Sequence, residues 1–277
     1  MKFRSLFLLF NSILLFFIIV IFIMPFLLLG SEFAASFWRT GWPLFLILVL
    51  ILAGFDGYFA LNHRLLYLLE REDWPALVQY LEFRVLKKGQ YRHRLVRLLA
   101  NTYLVLADAP AIMSLENRTA IVKPALVESN ALVFGIARIL GRDISGAVRF
   151  FADRLEAAPA VRGQDLGWLR WYYGFSLYLD RQIDAAADQF VLLVSGDGVI
   201  TALAAFLLNG AMGAALPLRR PELQAAAREG RERVRKALPD HGAWTRELIR
   251  VQADAHTLLL TKYLDETPVW LYHPAGV

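Results

Sequence analysis

The first long segment of this chain has no charged side chain. Between Ser5 and Leu29, 25 residues rich in Leu, Ile and Phe follow one another. A helix needs about 20 such residues to cross the hydrocarbon core of a bilayer. A cleaved signal peptide is the alternative, because Lys2 and Arg4 precede the run, but the apolar part of a signal peptide is normally only about 7–15 residues long. The length therefore favours an uncleaved membrane anchor.

A second apolar run extends from about Gly41 to Leu61 and contains one charged residue, Asp56. The connector between the two runs, residues 30–40, is short. Two apolar helices joined by a short connector form an antiparallel pair. We therefore predict a transmembrane hairpin over residues 1–62, with helices at about 5–29 and 41–61.

The positions of lysine and arginine predict how this hairpin is oriented, because short cytoplasmic flanks carry an excess of both. Two precede the first helix, and Arg39 is alone in the connector. The basic residues that follow the second helix are Arg64, Arg71, Arg84, Lys87 and Lys88. We therefore expect a multi-pass protein of a bacterial inner membrane, with both termini and the whole of residues 63–277 in the cytoplasm.

Asp56 is the most costly residue to place in a membrane, since an ionised Asp at a helix centre costs about 2.5–3.5 kcal/mol. In an antiparallel hairpin, Asn11 and Ser12 lie at nearly the same depth as Asp56. A hydrogen bond from either side chain would satisfy the carboxylate. Packing within the hairpin, or snorkelling to the interface, is the first interpretation. Contact with another membrane protein is the second.

Helical spacing continues through the rest of the chain, and one part of it repeats. Two windows, residues 135–151 and 174–190, share six identities at equivalent positions. Each window has the pattern of a helix end, a tight turn and the start of the next helix. The glycine would let the two helices pack closely, the alanine would fill their crossing, and the phenylalanine would fill the space between adjacent helix pairs.

These residues resemble the motif of the tetratricopeptide repeat family. The matching positions are the small residue (Gly135, Gly174), the alanine (Ala147, Ala186), the aromatic (Phe151, Phe190) and the closing proline (Pro159, with Gly198 in the second copy). The resemblance implies an all-α protein. In it, the N-terminal hairpin is followed by a tetratricopeptide-like α-solenoid of roughly four helical pairs over residues 63–265, with a tail at 266–277.

Two further copies match less well. One spans Leu69 to Tyr80, with Ala76 at the alanine position and a register uncertain by one residue. The other lies between Ala100 and Pro124; there Ile112 takes the alanine position, and Glu116 stands where the aromatic belongs. At the far end, helices at 222–238 and 243–264 are expected to cap the repeats, and the apolar tail either folds back onto them or touches the bilayer.

The sequence offers little material for catalysis. There is no cysteine, and no two of the five histidines are spaced i, i+4. The glycine-rich phosphate loops and the GxSxG nucleophile motif are absent as well. We therefore expect no enzymatic activity, no cofactor and no metal site.

A basic cluster follows the second apolar run. Six cations and no carboxylate occur within fourteen residues: Arg84, Lys87, Lys88, Arg92, Arg94 and Arg97. A solvated helix face and an anionic lipid surface are the two leading interpretations; each basic residue near such a surface adds about 1 kcal/mol of attraction. An acidic protein partner comes next, and nucleic acid is the least favoured. A second basic stretch, residues 219–236, includes Glu229 four residues before Arg233, which predicts a self-paired, exposed helix.

An aromatic group lies in the first helix of the second clear repeat. In the tetratricopeptide family such first helices line a groove, so Trp168 and Tyr172, spaced i, i+4, are candidate groove residues. Packing between helices is the alternative interpretation. The sequence thus predicts a membrane-anchored scaffold whose groove binds a membrane-associated protein partner during assembly of a complex. A membrane-surface sensor of anionic lipid or another ligand is the alternative.

Overall fold

The computed structural model describes residues 3–157, 163–252 and 255–273, and all regular structure in them is helical. Packing divides the chain into two compact units, Met1–Tyr80 and Leu81–Val277. The α-helices are α1 (Phe3–Glu70), α2 (Trp74–Glu82), α3 (His93–Val105), α4 (Ala109–Val122), α5 (Pro124–Glu128), α6 (Ala131–Leu140), α7 (Ile144–Glu156), α8 (Gly163–Leu179), α9 (Ile183–Leu193), α10 (Val199–Leu207), α11 (Gly213–Ala215), α12 (Arg220–Ala237), α13 (His241–Gln252) and α14 (Thr261–Tyr272). Two π-helical turns, Phe83–Lys87 and Leu208–Met212, and a 3-10 helix, Ala255–Leu260, complete the set.

The first unit is built on α1, which is broken at Gly30. Gly30 has φ 81° and ψ 170°, a conformation that a residue without Cβ adopts at low cost. Aromatic contacts between the two parts are Phe7–Phe59 (4.5 Å between ring centroids), Phe10–Phe55 (4.8 Å) and Phe22–Phe45 (5.0 Å). The two parts of α1, residues 3–29 and 31–70, therefore run antiparallel.

Both parts of α1 contain a segment long and apolar enough to cross a membrane, Phe7–Met24 and Trp38–Glu70. The second part differs from the expected 41–61 helix at both ends. The connector expected at residues 30–40 is reduced to Gly30, and the helix continues to Glu70 because no proline or glycine interrupts residues 58–70. The first compact unit extends to Tyr80, and so includes all of α1 and most of α2.

Neighbouring helices pack in pairs in the second unit: α3 with α4, α6 with α7, α8 with α9, and α10 with α12. The short α5 lies between the first two pairs and contacts α4 and α6.

The last described residues form what we call the C-terminal segment: α13, the 3-10 helix and α14. The sequence predicted one helix at 243–264 followed by a tail at 266–277, whereas the structure has three shorter elements, the last of which includes residues 266–272. The 3-10 helix contacts α3 and α6, and α14 contacts α10. Leu271 is fully buried, and Tyr272 donates its hydroxyl to the carbonyl of Leu238 at 2.8 Å. The described part of the predicted tail thus folds back onto the helical pairs.

One tight turn occurs four times in the part of the chain that the structure describes. Its central residue has positive φ in each copy: Glu72, Ala107, Arg142 and Arg181. The backbone N–H of this residue bonds the carbonyl three residues earlier, and the next N–H bonds the carbonyl five residues before it. This hydrogen-bond pattern closes a helix with a left-handed residue. The first two intervals between copies are equal, and the third, from Arg142 to Arg181, is slightly longer.

The residue after each positive-φ position starts the next helix. Asp73, Asp108 and Asp143 each accept a hydrogen bond from the backbone N–H three residues later, at 3.0–3.2 Å. An aspartate in this position satisfies one of the free N–H groups at a helix start. The fourth copy has Gln182 there, without a side-chain cap.

Candidate binding surfaces

The glycine and phenylalanine of the repeat motif touch each other. A Cβ added to Gly135 would lie 2.3 Å from Cζ of Phe151, and one added to Gly174 would lie 3.2 Å from Cζ of Phe190. Both phenylalanines are fully buried. Phe151 also stacks on Tyr172 of the next pair, with 6.1 Å between ring centroids.

Ala147 and Ala186 are fully buried as well. The structure thus places the glycines, alanines and phenylalanines at the close-packed positions that the sequence predicts. Pro159, the predicted closing proline, lies outside the described residues.

The structure fixes the register of the weaker first copy. Counting from its turn at Glu72, the positions of Ala147 and Phe151 correspond to Leu77 and Leu81, both of which are fully buried. The predicted Ala76 and Tyr80 are each one residue too early. Larger side chains fill the same positions, so composition alone did not reveal the register.

Glu116 takes the aromatic position of the second copy and is nevertheless buried. Its carboxylate accepts two hydrogen bonds from the guanidinium of Arg138, at 2.9 and 3.1 Å. That guanidinium lies 4.1 Å from the ring centroid of Phe150. The ion pair joins α4 to α6 at the position where the last two copies have Phe151 and Phe190. Sequence spacing gave no indication of a role for Arg138.

Trp168 and Tyr172, the candidate groove residues, are covered by the chain itself. Their exposed fractions are 8% and 0%. The Tyr172 hydroxyl donates to the backbone carbonyl of His256 at 2.8 Å, and the Trp168 and His256 rings are 4.7 Å apart at their centroids. Burial raises the pKa of Tyr172 well above its usual value, so the phenol stays protonated as a donor. The sequence offered a groove at these two residues and packing between helices as the alternative; in the structure the 3-10 helix covers both side chains.

The six cations of the basic cluster lie in three successive segments, a π-helical turn, a loop and a helix. Arg84 and Lys87 lie in the π-helical turn, Lys88 and Arg92 in the following loop, and Arg94 and Arg97 in α3. Arg84 is half-buried and donates from Nε to Oε1 of Gln90 at 3.0 Å. The other five side chains are exposed.

Two cations of the second basic stretch, Arg219 and Arg233, pair with carboxylates. Arg233 pairs with Glu229, as the spacing predicts. Arg219 contacts three carboxylates: Asp184, Asp188 and Glu222. These contacts raise the pKa of Arg219, chiefly through the hydrogen bond to Glu222. The two aspartates come from α9, a contact that sequence spacing cannot show.

Asn11 and Asp56 form the hydrogen bond predicted within the hairpin. Nδ2 of Asn11 donates to Oδ1 of Asp56 at 2.8 Å, while Ser12 is exposed. A cavity of about 450 Å³ lies beside this contact, and its lining residues are Phe7, Asp56, Phe59, Ala60, His63, Leu66, Tyr67 and Glu70. Three polar lining residues, Asp56, His63 and Glu70, recur every seven residues and so share one helix face. Among the described residues, no group of three or more potential metal ligands lies together.

Residues 111–273 match the sequence model of a family described as "Uncharacterised Treponema protein". The chain belongs to this family. An uncharacterized protein of Treponema pallidum (strain Nichols) is 27% identical over 248 residues, which cover 84% of this chain and 78% of the relative. No solved structure matches the chain. The family match runs from α4 through α14, so it includes both the Trp168–Tyr172 face and the His256 segment that covers it.

Proposed function

We propose that this protein is a membrane-anchored scaffold whose helical pairs bind a protein partner. In this proposal both parts of α1 cross a bacterial inner membrane, and the helical pairs lie in the cytoplasm. The length and apolarity of the two segments support the anchor. The distribution of lysine and arginine around them supports the orientation.

The repeated turns and the glycine–phenylalanine contacts support a tetratricopeptide-like arrangement of the pairs. The turns at Glu72, Ala107, Arg142 and Arg181 recur at intervals close to the family's period of about 34 residues, as in stacked helical hairpins. In such a stack the first helices of the pairs, α3, α6, α8 and α10, would line one continuous surface. Elements of the C-terminal segment contact α3, α6 and α10, and His256 contacts α8.

The observation that carries the proposal is how Tyr172 holds the 3-10 helix. Its hydroxyl binds a backbone carbonyl, which every peptide offers, while Trp168 packs on the side chain of the same residue. This face is therefore built to bind polypeptide. We propose that a segment of a membrane-associated partner takes the place of residues 255–260. The anchor would raise the local concentration of such a partner. Catalysis is not part of the proposed role.

Crosslinking in intact membranes, followed by purification in detergent and mass spectrometry, tests this proposal. We expect a stoichiometric partner linked to α8. His256→Ala weakens the hold on the 3-10 helix and should raise the partner yield. Leu258→Ala changes an exposed residue of the same 3-10 helix and should leave the yield unchanged.

Trp168→Ala should lower the partner yield, because it removes an aromatic ring from the binding face. Circular dichroism of each purified variant checks that the helices persist. If every variant is recovered alone, with crosslinks only within the chain, the scaffold proposal is wrong.

A further inference from the structure

The basic cluster lies on a surface that also exposes large apolar side chains. Ile121 and Val122, at the end of α4, are 85% and 52% exposed, and Phe83 is 48% exposed. Nζ of Lys123 donates to the backbone carbonyl of Tyr91 at 3.3 Å, which joins the end of α4 to the loop before α3. The exposed end of α4 therefore lies beside the loop that carries Lys88 and Arg92. Sequence spacing could not show this, because the end of α4 and the loop are far apart in the chain.

No carboxylate of this stretch offsets its positive charge. No Asp or Glu occurs between Phe83 and Ala107. Lys87, Lys88 and Arg92 are exposed, and within the described part of the chain they form no ion pair. Lys88 instead lies 5.1 Å from the ring centroid of Phe83. The charge is thus available to an anionic partner.

A second exposed apolar residue lies next to a cation that carboxylates neutralise. Leu218 is 99% exposed and precedes Arg219. The Arg219 guanidinium is occupied by the carboxylates of Asp184, Asp188 and Glu222. The cation that directly follows Leu218 is thus neutralised, whereas Lys87, Lys88 and Arg92 form no ion pair within the described part of the chain.

We propose that the surface formed by Phe83, Lys87, Lys88, Arg92, Ile121 and Lys123 docks on an anionic bilayer. The cations lie at the level of the lipid phosphates, and Ile121 enters the interfacial layer beneath them. Basic residues close to an anionic leaflet are attracted to it, and an adjacent apolar group adds burial in the interface. This inference rests on the proposed function for the anchor, because α1 would tether the rest of the chain to the membrane. Phe83 follows the end of α1 by only thirteen residues.

The aliphatic groups favour a bilayer over nucleic acid as the occupant. Proteins bind single-stranded nucleic acid by stacking bases on aromatic rings along a basic groove. Of the apolar residues of the proposed docking surface, Ile121 is the most exposed, and its side chain has no aromatic ring. A lipid interface accepts an isoleucine side chain without a shape-matched pocket.

The chain has no cysteine, so a single labelled cysteine can report on this surface. The full chain with Ile121→Cys, labelled with an environment-sensitive fluorophore, is reconstituted into nanodiscs of pure phosphatidylcholine or of phosphatidylcholine with phosphatidylglycerol. We expect a blue shift that grows with the phosphatidylglycerol fraction and shrinks in high salt. The matched control is Leu218→Cys with the same label, which should give the emission of a water-exposed probe in every disc.

A charge-reversed variant supplies the second part of the fluorescence experiment. Lys87→Glu, Lys88→Glu and Arg92→Glu together, in the Ile121→Cys background, should abolish most of the shift, while circular dichroism stays unchanged. The lipid titration itself needs no such variant. An Ile121 probe that responds equally in both kinds of disc, or a charge-reversed chain that keeps its shift, overturns the proposal. A shift with poly(U) but not with anionic lipid overturns it in favour of nucleic acid.

Failure of the anchor is a separate result. Resistance of the chain to extraction from the nanodiscs by alkaline carbonate reports on α1, whatever the lipid charge. If α1 does not insert, titration of the same labelled chain with anionic and neutral vesicles still tests whether the docking surface binds anionic lipid.

Discussion

At the scale of single residues, the absence of a side chain at Gly135 allows α6 and α7 to approach closely. A Cβ there would meet Cζ of Phe151 at 2.3 Å, well inside contact distance. Gly135→Ala should therefore lower the free energy of unfolding by about 1–3 kcal/mol, as overpacked cores do. Gly210→Ala is the matched control, because nothing lies within 4 Å of its added Cβ. Alanine there should be neutral or stabilising by less than about 1 kcal/mol. Denaturant titration of the detergent-purified chain measures both; equal losses would contradict the role of Gly135.

The Glu116–Arg138 pair gives a second prediction at this scale. Glu116→Ala leaves the Arg138 guanidinium without its carboxylate in a mostly buried place, and should cost about 2–4 kcal/mol of unfolding free energy. The double change to Glu116→Leu and Arg138→Leu should recover much of this, since apolar residues replace buried pairs well.

An exposed pair supplies the comparison. Arg233→Ala breaks the Glu229 contact, in which the two side chains are 41% and 60% exposed, and should cost well under about 1 kcal/mol. A Glu116→Ala loss as small as that of Arg233→Ala would mean that the buried pair contributes nothing beyond a surface contact.

At the scale of elements, docking of the 3-10 helix on α8 should make the free energy of unfolding fall at alkaline pH. Burial raises the pKa of Tyr172, whereas a phenol in the unfolded chain ionises near about pH 10. The unfolded state therefore loses its proton first, and stability falls as the pH rises above about 10. Tyr172→Phe should make this fall shallower while the slope between pH 7 and 9 stays the same. Unfolding titrations at a series of pH values measure the slopes; parallel curves above pH 10 would contradict this.

The helices themselves were predictable from the sequence, but their long-range contacts were not. The windows around Gly135 and Gly174 predicted the paired helices and the close packing at their glycines, because this information is local. Glu116 broke the motif, and its partner Arg138 lies 22 residues away, so no spacing rule connects them. The covering of Tyr172 by His256 joins residues 84 apart. The local sequence is the same whether an aromatic face binds a separate partner or is covered by a segment of its own chain.

At the scale of the whole molecule, the proposed hairpin predicts which side of the membrane each region occupies. Ser36 lies between the two apolar segments, and Ser195 lies on the surface of the second unit. A maleimide that cannot cross membranes should label Ser36→Cys in intact spheroplasts. It should label Ser195→Cys only after the membrane is opened. The reverse pattern would place the helical pairs outside the cytoplasm.

The docking of residues 255–260 on α8 also has a consequence for biosynthesis. Tyr172 leaves the ribosome 84 residues before His256. At about 5–20 residues per second, the aromatic face of α8 waits roughly 4–17 s for the segment that covers it. On every chain, the face is open during this interval. A protein already waiting at the site of synthesis could therefore occupy it first, without having to expel anything.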